Sequence, residues 1–401
     1  MLIAGEASGD LLAAELVQAL REELAGAEAA PTADYQPLRA SLEPRFFGAG
    51  GPRMAAAGVE LAFDMTEHSV IGLSEAMANY LKFRRLFGQL YRLALEREPD
   101  AIICVDFSGF NRRFAHAIKN YVRPRADWFH DWKPKLIQYV SPQVWASREG
   151  RAYQVARDYD ALLSIFPFEK DWYAKRVPAF SVEFVGNPIA ERYGHLKPAP
   201  TPVPASAASP PMVLLLPGSR PSELARHLPV LLAALKLMEA AHTSLRARVV
   251  LPNEALANKA RAAGLPAAVD IQVGSLHEAL RESDVALAST GTVTMECAYF
   301  GVPTVALYKT SWTNYHIAKQ IVTVKYLAMP NLLANEEVFP EFIQGAATAE
   351  NIARAGLELM GDQPRRSRIK VKLAEIVGSL GGPGASRRAA QAILRGLQFA
   401  H

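Results

Sequence analysis

The stretch Leu2-Ile3-Ala4-Gly5-Glu6-Ala7-Ser8-Gly9-Asp10-Leu11-Leu12-Ala13-Ala14-Glu15-Leu16 decides the fold. Three apolar residues, too few for a helix, run into small and polar turn formers. Leu12, Leu16, Leu20 and Leu24 then recur every fourth residue, which is one apolar face of a helix. Strand, small-residue turn and amphipathic helix make half of a parallel crossover unit. The unit repeats: apolar runs at 45–48, 101–106, 136–140, 161–165 and 182–185 alternate with helical patterns. It restarts with runs at 213–216, 247–251, 271–273, 285–288 and 304–307. None of these runs alternates with polar residues, as expected of strands covered on both faces. The expected class is α/β, with two Rossmann-like doubly wound domains.

The break between them is legible. Residues 198–211 read Pro-Ala-Pro-Thr-Pro-Val-Pro-Ala-Ser-Ala-Ala-Ser-Pro-Pro, in which neither a helix nor a central strand can form. This assigns 1–197 to a first domain, 198–211 to a linker and 212–348 to a second domain. Residues 349–401 form a helical tail, expected to pack back on the first domain or to be exchanged within a homodimer. Two segments, 25–44 and 123–135, read as insertions, the second carrying Trp128, Phe129 and Trp132 among charges.

Composition narrows the function classes. The 401 residues are 50% hydrophobic and 21% charged, which excludes a largely disordered chain. Forty-four basic against 40 acidic residues leave a net charge of +4, too small and dispersed for a nucleic-acid surface. Cys104 and Cys297 both sit in apolar runs, so no disulfide framework is expected and a reducing cytoplasm fits. No apolar run approaches the ~18 residues of a membrane span, and the first residues meet Gly5 and Glu6 too early for a signal-peptide core. There is no Cys-x-x-Cys or His-Glu-x-x-His, and Asp158-Tyr159-Asp160 precedes a strand instead of following one, so no metal site is expected. No Gly-x-Ser-x-Gly elbow occurs either.

Ligands of open α/β sheets bind beyond the carboxyl ends of the strands. There the first run delivers Glu6, Ser8 and Gly9 to a helix N-terminus, a place for an anion. The run at 101–106 ends on Asp106, a carboxylate placed to take a proton from a hydroxyl; as the milder alternative, Asp106 or Asn111 would cap the following helix. In the second domain, Gly218, Ser219 and Arg220 form a tight turn with a cation at its tip. Thr290, Gly291 and Thr292 form a hydroxylated turn, and Glu296 follows one helical turn on. Together these residues make a diphosphate cradle with an acceptor for ribose hydroxyls. Across 70–93, Ile71, Leu73, Met77, Leu81, Phe83 and Phe87 are interspersed with Arg84 and Arg85, the pattern of an interfacial helix or of a core helix with a basic outer side.

The ordered set of motifs resembles the lipid-A-disaccharide synthase family. It comprises Ala4-Gly5-Glu6-Ala7-Ser8-Gly9-Asp10, Gly48-Ala49-Gly50-Gly51-Pro52-Arg53-Met54, Tyr139-Val140-Ser141-Pro142-Gln143-Val144-Trp145-Ala146, Phe166-Pro167-Phe168-Glu169, Leu215-Leu216-Pro217-Gly218-Ser219-Arg220, Thr290-Gly291-Thr292 with Glu296, and Pro330-Asn331-Leu332-Leu333. The resemblance implies a GT-B glycosyltransferase whose two domains face a central cleft. It implies inverting, metal-independent transfer of 2,3-diacylglucosamine from UDP-2,3-diacylglucosamine to the 6-hydroxyl of 2,3-diacylglucosamine 1-phosphate, with UDP released and no cofactor. By the same resemblance Asp106 is the general base, Ser141 and Asn331 join Glu6, Ser8 and Gly9 in acceptor or phosphate binding, and the protein works at the cytoplasmic face of a Gram-negative inner membrane. The family's Asp-x-Pro-Asp-Phe-Asn reads Asp106-Phe107-Ser108-Gly109-Phe110-Asn111 here, its Gly-His-Pro ends as Gly186-Asn187-Pro188, and its Trp-Ala-Trp as Trp145-Ala146-Ser147. The alternatives are another GT-B enzyme using UDP-GlcNAc, such as a muropeptide transferase or an epimerase, and a non-catalytic lipid- or nucleotide-binding paralogue.

Overall fold

The structure, a computed structural model, describes residues 1–28, 44–66, 76–125, 131–196 and 210–398. The chain divides into two units, one made of Met1–Glu191 with Leu380–His401 and the other of Arg192–Ser379.

In the first unit strands and helices alternate: β1 (Leu2–Ala4), α1 (Ala7–Glu28), β2 (Phe47–Gly50), α2 (Pro52–Ala56), β3 (Glu60–Asp64), α3 (Ala76–Arg97), β4 (Ala101–Val105), α4 (Ser108–Val122), β5 (Lys135–Tyr139), α5 (Arg151–Asp158), β6 (Ala161–Ser164), α6 (Pro167–Ala174) and β7 (Ser181–Phe184). Helix α7 (Ile189–Tyr193) carries the chain across the division. The second unit continues with β8 (Met212–Leu216), α8 (Pro221–Ala241), β9 (Arg246–Leu251), α9 (Glu254–Ala262), β10 (Val269–Val273), α10 (Leu276–Glu282), β11 (Val285–Ser289), α11 (Thr292–Tyr299), β12 (Thr304–Tyr308), α12 (Trp312–Ile321), α13 (Met329–Ala334), β13 (Glu341–Ile343), α14 (Ala349–Gly361) and α15 (Gln363–Ser379). Helix α16 (Ala385–Gln398) belongs to the first unit again.

Both sheets are parallel throughout, in the orders β3-β2-β1-β4-β5-β6-β7 and β10-β9-β8-β11-β12-β13. Each therefore has one place where successive crossovers turn in opposite directions, between β1 and β4 and between β8 and β11. Two strands pass unnoticed in the sequence, β3 and β13. Both are sheet edges, partly exposed and short, so neither carries the continuous apolar run of a central strand.

Apolar residues fill both faces of the first sheet. One face packs β-strand residues such as Ile3, Ile102, Cys104 and Leu136 against Leu86, Leu90 and Ala94 of α3 and Phe110, Phe114 and Ile118 of α4. The opposite face packs Leu12, Leu16 and Leu20 of α1 with Ala389, Ala390 and Ile393 of α16. Polar contacts fix α16 there: Arg387 and Gln391 both reach the Glu23 carboxylate, Ser386 N–H donates to Glu191, and Arg388 donates to Val185 O. The helical region after 349 is thus divided, since α14 lies on α8 within the second unit and only α16 returns to the first.

The structure corrects part of the membrane-facing assignment. Phe83 and Phe87 recur with Leu86 and Leu90 on the side of α3 turned to the sheet, where Phe87 meets Phe110 and Phe114 edge-on at 5.6 Å. Both are partly buried and pack against the core. Leu81 is 67% exposed, beside the exposed Arg84 and Arg85. Ile71 and Leu73 lie outside the described residues, as does the Met77 side chain. Trp132 caps the core, its indole N–H donating to Pro99 O, while Trp128 and Phe129 lie outside the described residues.

Two buried carboxylates organise the carboxyl edge of the first sheet. Asp10, 2% exposed, accepts from the N–H groups of Gly51 (2.7 Å), Arg53 (3.0 Å) and Met54 (3.1 Å), and so caps the short α2 from the first turn of α1. Two motifs distant in sequence, 4–10 and 48–54, are joined by this one group. Glu169, 1% exposed, accepts from the Trp145 indole at 2.8 Å and lies 2.8 Å from Ser164 Oγ, which is also 2.7 Å from Phe166 O. A single hydroxyl hydrogen serves one acceptor at a time; when Ser164 donates to Phe166 O, the Glu169 carboxyl must supply the proton between them. Burial pushes Glu169 up to about 7 despite hydrogen bonds from Trp145, Ser164 and Ser141 that favour its charged form.

This yields a pH signature. Between its ordinary 4.5 and about 7 the folded state holds a proton on Glu169 that the unfolded chain has lost, so its contribution is complete below 4.5 and disappears as pH rises through 7. Denaturant unfolding should show Glu169→Gln removing a loss on the order of 3 kcal/mol between pH 4.5 and 8. An unchanged pH slope in that variant would refute the assignment.

Candidate active site

At the reversal point of the first sheet, parallel pairing of Ala4 with Val105 brings the turn after β1 beside the turn after β4. Gly5–Gly9 and Asp106–Gly109 leave the sheet side by side. Gly5 is obligatory here, because a Cβ would lie 2.2 Å from the Phe107 ring. Asp106 and Phe107 take φ of +48° and +44°, two consecutive non-glycine residues in the left-handed region, a costly conformation concentrated at functional sites. Asp106 N–H donates to Tyr139 O, while its carbonyl accepts from Asn111 Nδ2 at 2.9 Å and Gln138 Nε2 at 3.3 Å. The turn is therefore clamped by two buried amides.

The N-cap of α4 is Phe107, whose ring offers no acceptor. Asn111 instead points under the turn, toward the carbonyls of Ile3, Val105 and Asp106. Asp106 is half-buried; Ser8 of α1 and Ser108 and Gly109 of α4 are exposed around it, and Glu6 is half-buried. Ser141 is not exposed at this edge. It is 4% exposed, its hydroxyl lies within hydrogen-bond range of Pro142 O and Tyr173 OH, and it belongs to the Glu169 network.

The second sheet repeats this geometry at its own reversal point. Ala288 of β11 pairs with Leu216 of β8, so the turn 217–220 and the turn 290–292 emerge on adjacent strands at one edge. Gly218 has φ +115°, and a Cβ there would meet Glu223 Oε2 at 2.4 Å. Glu223 reaches back to the N–H groups of Ser219 (3.0 Å) and Arg220 (3.3 Å), so these donors are held by a carboxylate. The Arg220 guanidinium is 58% exposed and 3.7 Å from Glu223. Gly291, φ +139°, opens α11 with Thr292 exposed beside it.

Glu296 lies one turn into α11. Tyr193 OH donates to its carboxylate at 2.7 Å; burial raises the Glu296 acid, partly offset by that bond and by Arg192 and His277. Tyr193 in turn packs among His277, Tyr299 and Phe300. His227 of α8 is fully buried beneath the 217–220 turn. Lys309 N–H can only donate, so His227 Nε2 accepts from it (3.0 Å) and Nδ1–H donates to Pro217 O (2.8 Å). Burial holds this imidazole below its ordinary value, in the neutral form the two bonds require.

Asn331 is not on the rim of this edge. Wholly buried, it accepts from Val338 and Phe339 N–H and donates to Phe339 O and Glu341, which commits both ends of its carboxamide to folding the 338–341 turn. Asp158 and Asp160, at the amino end of β6, are bound by Arg157 and His116 and by Lys119. Sequence reasoning misses Asp10, His227, Tyr193 and Glu223. Only Asp10 and Glu223 carried a local signal, as acids in the first turn of a helix; the partners of the others are remote in sequence.

A family model described as Lipid-A-disaccharide synthetase matches residues 1–395. The curated lipid-A-disaccharide synthase of Anaeromyxobacter sp. (strain K) is 35% identical over 98% of this chain and 96% of its own length. Among solved structures, a putative UDP-N-acetylglucosamine 2-epimerase from Listeria monocytogenes aligns with TM-score 0.59 at 14% identity, covering 99% of this chain and 96% of that one. A glycosyltransferase of kitacinnamycin aligns with TM-score 0.58 at 18% identity, covering 99% and 98%. These structural likenesses place the two parallel sheets in the GT-B fold class, and the sequence match is decisive for the family: the chain belongs to the lipid-A-disaccharide synthases, glycosyltransferases of lipid A biosynthesis.

Proposed function

We propose that the enzyme transfers 2,3-diacylglucosamine from UDP-2,3-diacylglucosamine to the 6-hydroxyl of 2,3-diacylglucosamine 1-phosphate with inversion. The observation that carries this reading is the placement of the two residue sets at the reversal points of the two sheets, where parallel folds bind ligands. In the first unit Asp106, on its strained turn, removes the proton as the acceptor 6-oxygen bonds to the anomeric carbon. The bond from that carbon to the diphosphate oxygen breaks, and UDP leaves with the electron pair. In the second unit Arg220 and the Thr290–Thr292 turn take up the developing charge, so the reaction needs neither a separate acid nor a metal ion. Glu296, held by Tyr193, accepts ribose hydroxyls, and Glu6, Ser8 and Gly9 serve the acceptor phosphate. His227 positions the Arg220 turn through Pro217 O. Exposed Leu81 with Arg84 and Arg85 supports peripheral association with the cytoplasmic face of the inner membrane.

Replacing Asp106 by Asn should lower kcat by about 10²- to 10⁴-fold while UDP affinity stays within twofold, measured by product formation and by calorimetric titration. Full turnover in this variant would remove Asp106 as base. Arg220→Ala should weaken UDP binding by roughly 10- to 100-fold, the loss expected of a charge-assisted hydrogen bond. Unchanged UDP affinity would take Arg220 out of the cradle. Transfer from unacylated UDP-GlcNAc as efficient as from the diacylated donor would favour the alternative substrates.

A further inference from the structure

Helix α12 of the second unit is unlike its neighbours. It has no buried residue, and the burial of its flanks is also incomplete from Ser311 to Leu327. Among the described residues, seven large apolar side chains are prominently exposed. Three fall within eleven positions here: Trp312 at 65%, Ile317 at 51% and Val322 at 36%. Concentration of this kind marks a contact surface, since scattered exposed apolar residues are ordinary.

The chemistry of the face is specific. Trp312 stacks on His316 at 5.3 Å and meets Tyr315 edge-on at 6.0 Å, so spacings of three and four residues put the rings on one side of the helix, with Lys319 one turn further on. Between Glu296 and Glu336 the sequence contains no Asp or Glu, while Lys319 and Lys325 are exposed. Lys309 is not part of the face, because its ammonium donates to Gln344 O and Ala347 O. Trp and Tyr rings with lysines, free of acids, suit the headgroup level of an anionic bilayer, where an aromatic body is buried and a cation meets phosphate. A second copy of the chain is a poor match, since a two-fold interface would pair this face with itself and bring no acid to its lysines.

We propose that the Trp312–Tyr315–His316–Lys319 face of α12 is a membrane-docking surface that seats the second unit on an anionic phospholipid bilayer. It is separate from Leu81, Arg84 and Arg85 of the first unit, and it rests on the peripheral membrane association proposed above. Trp312 enters the interface, and Lys319 and Lys325 pair with lipid phosphates.

The test is sedimentation of the full chain with vesicles of phosphatidylcholine alone or with phosphatidylglycerol added to set a negative surface potential, alongside UDP titration and a sizing run. Trp312→Ser, and separately Lys319→Glu, should each lower partitioning onto the anionic vesicles about tenfold or more, with UDP affinity and thermal midpoint unchanged. Loss of partitioning in Leu81→Ser but not in the α12 variants would overturn the α12 surface and leave peripheral association standing. Failure of the wild-type chain to bind either vesicle would overturn both. A wild-type dimer that dissociates in the α12 variants, without vesicle binding, would assign the face to a second copy and overturn the proposal.

Discussion

Parallel pairing from edge to edge is the constraint on which the rest of the molecule depends. Parallel neighbours cannot be joined by a tight turn, so every connection is a crossover, and both faces of each sheet are covered by helices. The turns that enter these helices all lie at the carboxyl edge. Where the crossovers change direction, two adjacent turns separate and leave room for a ligand. The β1/β4 and β8/β11 pairs are those places, and they hold Asp106 and Arg220.

The turns at these points are held by groups that do no chemistry themselves. In the first unit the Asp106 carbonyl is clamped by Asn111 and Gln138, Gly5 makes way for Phe107, and Asp10 fixes the glycine-rich turn after β2. In the second, neutral His227 ties the turn after β8 to the chain after β12, and Glu223 fixes the amides of Ser219 and Arg220. Asp10, Asn111, Gln138 and His227 are buried, and their hydrogen bonds tie these turns to neighbouring backbone. Pre-set turns of this kind reduce the reorganisation required when charge develops on a substrate.

Burial tunes the acids differently. Glu169 and Glu296 are both raised by desolvation, and each is met by a donor, Trp145 and Tyr193 respectively. Glu169 serves the integrity of the turn after β5, whereas Glu296 sits at the edge where the proposed nucleotide site lies. A shifted acid therefore does not by itself identify chemistry in this fold; its place relative to the reversal point separates the two cases.

Central strands, their helices and the carboxyl-edge turns were legible in the sequence, because continuous apolar runs and fourfold leucine spacing are local patterns set by burial on both sides. Asp106, Arg220 and the Thr290–Thr292 turn were legible for the same reason, as residues directly following such runs. The edge strands β3 and β13 were not, because an edge strand has too little burial to write an apolar run. Nor was the inward orientation of Phe83 and Phe87, since an amphipathic basic helix has the same pattern whether its apolar side meets a core or a membrane. The burial of Ser141 and Asn331, the cap from Asp10 and the bridge through His227 were decided only by tertiary structure: each joins a side chain to backbone brought near by strand order, and strand order has no local signature in the sequence.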